Sequence, residues 1–545
     1  MSTAPTPQIR TSEDEQTLHK LGYAQELFRA MGGFQNFAIS FTIISILAGC
    51  LTSYYIAFES GGPIAVTWGW LLVGLFSTII SLAMAEIASS FPTAGGLYYW
   101  ASKLGSAGWG WTTGWFNLIG QIAVTAAIGY GLATFSTVLF DDLFSFEKHM
   151  NDWFGFNYNE TVYALYAVFL LAVCLINVFD VRITAMLNTF SAYWHMIGVA
   201  FIVAVLIFVP KHHQSFSYVF GGQVNATGYG GNATGFHHAA FWLVFGLGLL
   251  MAQYTITGFD ASAHMAEETH QASRMAAVGM YMSVIVSVIF GFILLVAVTF
   301  AIPPAGTKGA LDNIGAVVPW IWSTAMSQNW ADALLAICVV AQFFCLTAST
   351  TSASRMMFAF SRDGAVPGHK LWRKVSKHRV PVNAVFAIGV LSGLLMVPAI
   401  WNYLVGYAAG TAIAVIGLYI AFVIPVFLRI RLGDKFEHGA WSLGKHYKWI
   451  GWTAICWVAL ITVLFSLPLF YDGLPWSANF QWTLTNYTIL WFLGIGIVVG
   501  GWWFLSAHKW FKGPVRMGTE EELEQLEAKQ EGEFALPADT GYETT

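Results

Sequence analysis

The sequence predicts an all-α membrane protein with about twelve transmembrane helices. Hydrophobic residues make up 56% of the chain and charged residues only 10%, whereas soluble proteins carry about a quarter charged residues. Apolar runs of about twenty residues, enough to cross roughly 30 Å of hydrocarbon, recur between Phe34 and Leu505. A bilayer is therefore the predicted solvent for most of the chain.

The apolar runs set the positions of the helices, and the shortest gaps between neighbouring runs lie at Val181 and near Trp401. The predicted spans are residues 34–58, 64–88, 109–140, 161–180, 184–209, 238–263, 277–302, 330–356, 382–400, 402–428, 450–471 and 485–507.

These spans divide the chain into tails and groups of helices. The predicted parts are an N-terminal tail at 1–33, a first five-helix repeat at 34–209, a second five-helix repeat at 210–428 that includes an outward loop at 210–237, a loop with two extra helices at 429–507, and a C-terminal tail at 508–545. The acidic run TEEELEQLEAKQEGE in the C-terminal tail predicts a short surface helix, and the last residues are expected to be disordered.

Positive charge is concentrated on one side of the predicted bundle. Of the 25 Lys and Arg residues, only Lys148, Lys211 and Lys308 fall on the side opposite to the termini. Because cytoplasmic loops of membrane proteins carry an excess of Lys and Arg, both termini are predicted to be cytoplasmic. The expected location is the plasma membrane or the inner membrane of a cell.

Small residues interrupt the first and sixth predicted spans. In the run SFTIISILAGCLTSYY they are Ser45, Ala48, Gly49 and Cys50, and such residues weaken a continuous helix. In the run LLMAQYTITGFDASAH the small and polar residues are Thr255, Thr257, Gly258, Asp260 and Ser262. Ordinary packing of glycine-containing helices is the alternative explanation for both runs.

A matched pair of broken helices indicates a central polar site. Unpaired backbone groups in lipid cost several kcal/mol each, so non-helical backbone occurs at membrane depth only where it lines protein or a watery cavity. Helix-end amides attract an anion and helix-end carbonyls a cation, which suits a zwitterion such as an amino acid. The breaks open two successive groups of five spans, and an odd number of crossings inverts the second group. Such inverted repeats move around a midplane site to give alternating access.

Two segments resemble a known family of transporters. The runs SLAMAEIASSFPTAGGLYYWASKLG, at 81–105, and TITGFDASAHMAEETHQASR, at 255–274, are similar to the amino acid-polyamine-organocation superfamily. The chain is most similar to its amino acid/choline transporter family, which includes GABA permeases, and the resemblance covers nearly the whole chain. It implies the leucine-transporter-type fold, a 5+5 inverted repeat followed by two C-terminal helices, and secondary transport coupled to a proton or sodium gradient.

The resemblance also places the substrate at the two breaks. In the family, backbone amides of the first break bind the substrate carboxylate, and carbonyls and side chains of the sixth span meet the amine. The implied substrate-binding residues are Ser45, Ala48, Gly49, Cys50, Thr257, Gly258, Phe259 and Asp260. Relatives often have a glycine pair at the first break, whereas here Ala48 and Cys50 flank the single Gly49.

Four acidic residues and one histidine receive specific expectations. Asp260, the only carboxylate in the sixth span, is expected either to pair with the substrate ammonium or to fix the unwound backbone as a hydrogen-bond acceptor. His195 in the fifth span and Glu86 near the end of the second are candidates for proton coupling, and structural hydrogen bonding is the alternative for each. Glu267 and Glu268 are expected to be solvated or paired with a neighbouring arginine, without a binding role.

Hydroxyl groups in the eighth span provide an alternative to proton coupling. Thr347, Ser349 and Thr350 are candidates for a sodium site, and packing of small polar residues against a neighbouring helix is the competing interpretation.

The expected function is secondary active transport of an amino acid, with GABA as one candidate and H⁺ as the coupling ion. The alternatives are a choline or polyamine carrier, a sodium symporter or exchanger, and a nutrient sensor that binds without flux. The sequence has no HExxH or GxSxG motif and no cysteine spacing typical of zinc ligands. An enzyme, a metal centre, a bound cofactor and a nucleic-acid partner are therefore not expected, and the partners are a small-molecule substrate and the lipid bilayer.

Overall fold

A computed structural model describes residues 12–179 and 181–534. In these two ranges the regular secondary structure is helical, with one isolated β-bridge between Met31 and Thr269. Among the described residues, ten helices are long and apolar enough to cross a membrane, and three shorter apolar helices accompany them. The predicted all-helical membrane fold is confirmed.

Twelve helical segments occupy the positions that the sequence predicts for the spans. In chain order they are span 1 (Gly33–Ile44, Gly49–Thr52 and Tyr54–Glu59), span 2 (Pro63–Ser90), span 3 (Ala107–Phe144), span 4 (Tyr158–Val178), span 5 (Val181–Phe208), span 6 (Ala239–Gly248, Leu250–Thr255 and Ala261–His264), span 7 (Ala272–Phe300), span 8 (Gln328–Arg362), span 9 (Val382–Leu395), span 10 (Tyr403–Leu432), span 11 (Tyr447–Ser466) and span 12 (Thr488–Ile495, Gly496–Gly500, Trp503–Ala507 and His508–Trp510). Spans 6 and 9 belong to the shorter apolar helices.

Short helices cover the ends of the bundle. They are Glu13–Leu21, Gly96–Leu104, Phe146–Phe154, Phe216–Gly221, Gly306–Asp312, Val317–Ala325, His369–Trp372 and Glu520–Phe534. The helix predicted in the acidic C-terminal run is thus confirmed, whereas the final residues predicted to be disordered lie outside the described ranges.

Burial separates the central spans from the peripheral ones. The most apolar stretch of span 3 is 89% buried, whereas that of span 12 is only 6% buried. Span 3 therefore lies at the centre of the bundle, and span 12 lies at its periphery.

Glycines let span 3 and span 10 approach closely. A Cβ atom on Gly120 would lie 2.7 Å from Leu418 Cγ, and one on Gly417 would lie 3.1 Å from Gly120 Cα. Small residues at a crossing bring two helix backbones together, which increases van der Waals packing where lipid supplies no hydrophobic driving force. This contact fixes span 10 against the centre of the molecule.

The two ends of the chain meet on one face of the bundle, which we call the terminal face. The N-terminal helix Glu13–Leu21 starts at a capping box of Ser12 and Glu15. The Met517 amide donates to the Gly22 carbonyl at 2.8 Å, and His19 Nε2 lies 2.8 Å from Glu527 Oε1. The tails therefore form one packed unit over the ends of the spans.

Candidate functional site

Span 1 is interrupted at the residues that the sequence indicates. Its first helix ends at Ile44, and Ser45 adopts a left-handed conformation with φ of 35°. The Ser45 carbonyl accepts hydrogen bonds from the Ala48 amide at 2.8 Å and the Gly49 amide at 2.9 Å. The tight turn ends where the helix restarts at Gly49.

Span 6 is interrupted between Thr255 and Ala261, and side chains of other spans hydrogen-bond to the opened backbone. The Tyr419 hydroxyl of span 10 donates to the Ile256 carbonyl at 2.5 Å. The Ser40 hydroxyl of span 1 donates to the Phe259 carbonyl at 2.9 Å. Because a free carbonyl at membrane depth is costly, these two hydroxyls stabilise the non-helical segment.

The two breaks pack closely against each other because a glycine in each span leaves room for the other. A Cβ atom on Gly49 would lie 2.9 Å from side-chain atoms of Thr255, and one on Gly258 would lie 2.2 Å from Ile43 Cγ2. Gly258 also has φ of 88°, in the left-handed region that favours glycine. Each break therefore packs against the residue that precedes the other break, as expected for two helices of opposite direction.

Asp260 connects span 6 to span 3. The side chain is fully buried, and its Oδ2 accepts hydrogen bonds from Gln121 Nε2 at 2.8 Å and Asn117 Nδ2 at 3.3 Å. His264 Nε2 also lies 3.3 Å from this oxygen. Within the described ranges, Asp260 Oδ1 has no hydrogen-bond partner. These contacts attach the start of the second half of span 6 to span 3.

His195 contacts the corner of the span 1 break. Its Nε2 lies 2.7 Å from Ser45 Oγ, and its Nδ1 lies 2.8 Å from the Ser191 carbonyl oxygen. A carbonyl only accepts, so Nδ1 carries a proton, and in the neutral form of the ring Nε2 accepts from the Ser45 hydroxyl. The imidazole is fully buried. A titratable group therefore lies directly on the residue at which span 1 turns.

Glu86 lies in a fully paired structural setting. Its Oε2 accepts from Arg429 Nε at 3.1 Å, and its Oε1 accepts from the Ser442 hydroxyl at 3.0 Å and the Leu443 amide at 3.2 Å. These contacts attach the loop before span 11 to spans 2 and 10. These hydrogen bonds support the structural interpretation of Glu86.

The three hydroxyls considered for a sodium site make separate contacts. Thr347 and Thr350 each donate at 2.8 Å to the carbonyl one turn earlier in span 8. Ser349 Oγ lies 2.7 Å from Thr125 Oγ1 of span 3. The two threonine bonds lie within span 8, and only the serine bond joins two helices.

The two glutamates expected to be solvated or paired with a neighbouring arginine are buried on the terminal face and pair with arginines of span 8, so that expectation was wrong. Glu267 is fully buried and forms paired hydrogen bonds with Arg362, at 3.0 and 3.2 Å. Glu268 is 1% exposed, and its Oε1 lies 2.8 Å from Arg355 Nε. Burial raises the pKa of Glu268, and Arg355 opposes part of that rise. Partners from distant span 8 allow both carboxylates to be buried. We call these four residues the ion-pair layer.

The ion-pair layer is tied to both tails through Asp363. This carboxylate accepts from the Tyr23 hydroxyl at 2.8 Å and from the Val515 amide at 2.9 Å, and Tyr98 donates a further hydrogen bond to it. The Arg362 guanidinium lies 3.8 Å from the centre of the Tyr23 ring, which adds a cation–π contact. Asp363 and Arg362 thereby join both tails to the end of span 8 on the terminal face.

Comparisons with known proteins agree with this architecture. A family model described as amino acid permease matches residues 31–508. The chain is 39% identical over 510 residues to the amino-acid permease BAT1 homolog of Oryza sativa subsp. japonica, and the alignment covers 91% of this chain and 95% of that relative. Identity to the amino-acid permease BAT1 of Arabidopsis thaliana is 36%, with the same coverage. The GABA-specific permease of Saccharomyces cerevisiae is 28% identical, with 93% and 86% covered.

Gly258→Ala is expected to destabilise the protein and abolish its activity. The added methyl would overlap Ile43, and a left-handed alanine costs about 1–2 kcal/mol. Thermal unfolding in detergent measures the loss of stability. Adding Ile43→Ala to the variant should recover only the stability that is lost through the overlap with Ile43. Gly494→Ala is the control, because a Cβ atom there meets nothing within 4 Å. Equal unfolding midpoints for the two single variants would contradict the interlocked geometry.

Glu267→Gln is expected to open the terminal face, because Arg362 loses its paired carboxylate. Breaking a buried ion pair costs about 3–5 kcal/mol, so the unfolding midpoint should fall and a thiol reagent should reach Cys50 and Cys345 faster. Cys456, which is exposed, is replaced by Ser in every sample. Asp312→Asn is the control because its pair with Lys308 is exposed. Unchanged labelling of Glu267→Gln would show that the ion-pair layer does not close the site.

Proposed function

The chain belongs to the amino acid permease family, and on that premise we propose that it moves amino acids by alternating access, driven by a proton gradient. Membership makes it a multi-pass membrane transporter of amino acids rather than an enzyme. The mechanism is supported chiefly by one observation, the interlock of two broken spans with a buried histidine hydrogen-bonded to Ser45 at the corner of one break.

We propose that the substrate binds between the two breaks. The backbone around Ala48, Gly49 and Cys50 would meet its carboxylate, and the carbonyls of Thr257, Gly258 and Phe259 its ammonium. Asp260 is a positioning residue in this scheme, because its hydrogen bonds to span 3 fix the start of the second half of span 6. Burial of these residues strengthens each polar contact with a zwitterion, since no water competes for it.

Release toward the terminal face requires the ion-pair layer to separate. Glu267 and Glu268 follow span 6, whereas Arg355 and Arg362 belong to span 8. A movement of span 6 relative to span 8 therefore breaks both pairs and opens the breaks to that face. We assign the terminal face to the cytoplasmic side of the membrane, because the loops and tails on that side contain most Lys and Arg residues. The membrane is proposed to be the plasma membrane or the inner membrane of a cell.

Proton coupling is proposed to act through the direction of one hydrogen bond. The neutral imidazole of His195 accepts from the Ser45 hydroxyl. Once protonated, Nε2 must donate, so the Ser45 hydroxyl turns and offers its hydrogen to another acceptor. A carboxylate in the break is such an acceptor, and proton and substrate then favour each other's binding. Glu86 already uses both carboxylate oxygens in structural contacts, which favours His195 as the coupling residue.

The substrate is proposed to be a zwitterionic amino acid, with GABA among the compounds to test. Choline and polyamines have no carboxylate, so they would lack the group that the proposal places at the first break. Sodium symport would use the hydroxyls of Thr347, Ser349 and Thr350, which form hydrogen bonds of their own. Exchange and nutrient sensing without flux are the remaining alternatives.

Flux measurements test this proposal. Purified protein in liposomes should accumulate one or more labelled amino acids when the outer medium is acidified, and a protonophore should abolish the accumulation. Choline, polyamines and GABA complete the panel, and a sodium gradient at constant pH tests the other coupling ion. Binding of an amino acid without any flux would replace transport by the sensor function.

His195→Gln should retain substrate binding and lose the response to pH. The amide of glutamine replaces the hydrogen bond to Ser45 but does not titrate near neutral pH. Uptake by the unchanged protein should rise on acidification of the outer medium, whereas uptake by the variant should stay flat. His149→Gln is the control, because this exposed histidine makes the same contact with the carbonyl one turn earlier. A pH profile of His195→Gln that matches the unchanged protein would assign coupling elsewhere.

A further inference from the structure

Gln342 of span 8 has a buried side-chain amide that forms no hydrogen bond with the described residues. The residue is fully buried, and in the described part of the chain neither Nε2 nor Oε1 has a hydrogen-bond partner. A buried donor or acceptor without a partner destabilises the fold. By contrast, Gln253 of span 6 is equally buried but contacts Ser77 at 3.2 Å and Trp457 at 2.9 Å. Stability alone therefore does not account for a glutamine at position 342.

Contacts on either side of Gln342 place it beside the span 1 break. One turn after it, Cys345 Sγ donates to the Ile43 carbonyl at 3.2 Å. Five residues before it, Ile337 lies near Leu47 of span 1, because a Cβ atom on Gly198 of span 5 would lie within 3.0 Å of both side chains. Span 8 thus runs alongside span 1 from Ile43 to Leu47. The turn of span 8 that contains Gln342 lies opposite the segment in which span 1 is not helical.

The orientation of Gln342 follows from the helical repeat. Residues three and four apart share a helix face. Cys345, three residues later, faces span 1, and Leu346, four residues later, lies beside span 3, with its Cδ1 atom 3.2 Å from a Cβ atom built on Gly129. The Gln342 side chain therefore lies between spans 1 and 3. This is the side on which the break opens toward the centre of the bundle.

We infer that Gln342 binds the substrate and favours α-amino acids over GABA, an inference that rests on the proposed function. An amide has a donor and an acceptor side by side. An α-amino acid has its carboxylate and ammonium on one carbon, so Nε2 donates to the carboxylate while Oε1 accepts from the ammonium. GABA separates these groups by three methylenes, and a single amide reaches only one of them. A buried polar group left unpaired by an analogue is a strong source of discrimination.

Gln342→Leu separates a binding role from a structural one. Removal of an unpaired buried amide should leave the unfolding midpoint in detergent unchanged or higher, because no protein contact is lost. The KM for uptake of α-amino acids should rise about tenfold or more, which corresponds to the loss of one or two good hydrogen bonds. The KM for GABA should change less. Gln342→Met, which keeps the unbranched shape of the side chain, should behave like Gln342→Leu.

Gln253→Leu is the matched control, since this glutamine has protein partners for both ends of its amide. It should lower the unfolding midpoint clearly. Stabilisation of the solubilised protein by each proteinogenic amino acid and by GABA gives a binding readout that is independent of flux. Loss of α-amino acid stabilisation in both Gln342 variants supports the inference, even if liposomes show no transport and the proposed function fails.

Three results would overturn the inference. In the first, the Gln342 variants keep the KM and the ligand stabilisation of the unchanged protein. In the second, they lose stability to the same extent as Gln253→Leu, which would make Gln342 a structural residue. In the third, no α-amino acid stabilises the unchanged protein.

Discussion

The structure depends on the rule that backbone polar groups within a bilayer must find partners inside the protein. Spans 1 and 6 are both interrupted where they pack against each other. Other residues must therefore supply the hydrogen-bond partners that the interrupted backbones lack. The Tyr419 and Ser40 hydroxyls do so for span 6, and the turn at Ser45 satisfies part of span 1 internally. Close approach of the breaks then requires the absence of a side chain at Gly49 and Gly258.

The terminal face shows how a membrane protein buries charge without excessive cost. Glu267 and Glu268 are adjacent in the chain, and their partners Arg362 and Arg355 are two turns apart on span 8. Burying such charges is unfavourable unless the partners are held in good hydrogen-bond geometry. Attachment of this layer to the tails through Asp363 provides that geometry. Replacement of a whole buried ion pair by apolar residues is often neutral for stability, whereas removal of one partner is strongly destabilising.

Much of this arrangement was predictable from local sequence. Apolar runs located the spans because hydrocarbon thickness fixes their length, and small residues located both breaks because they weaken helices. The burial of Glu267 was not predictable, since its partner Arg362 is distant in the chain and only the packed fold brings them together. Gln342 was missed for another reason. A single neutral amide within a long apolar run changes neither hydropathy nor charge, and only the absence of a partner in the fold distinguishes it.

The junction of the chain ends has a practical consequence. Val515, which follows span 12, donates its amide to the same carboxylate that Tyr23, near the other end of the chain, contacts. An opening that detaches one tail from Asp363 would therefore alter the separation of the two tails. A pair of dyes, one on each tail, would convert the working cycle into an optical distance signal without any label inside the membrane. Bulky fusion partners at either end would, for the same reason, hinder movement of the tails.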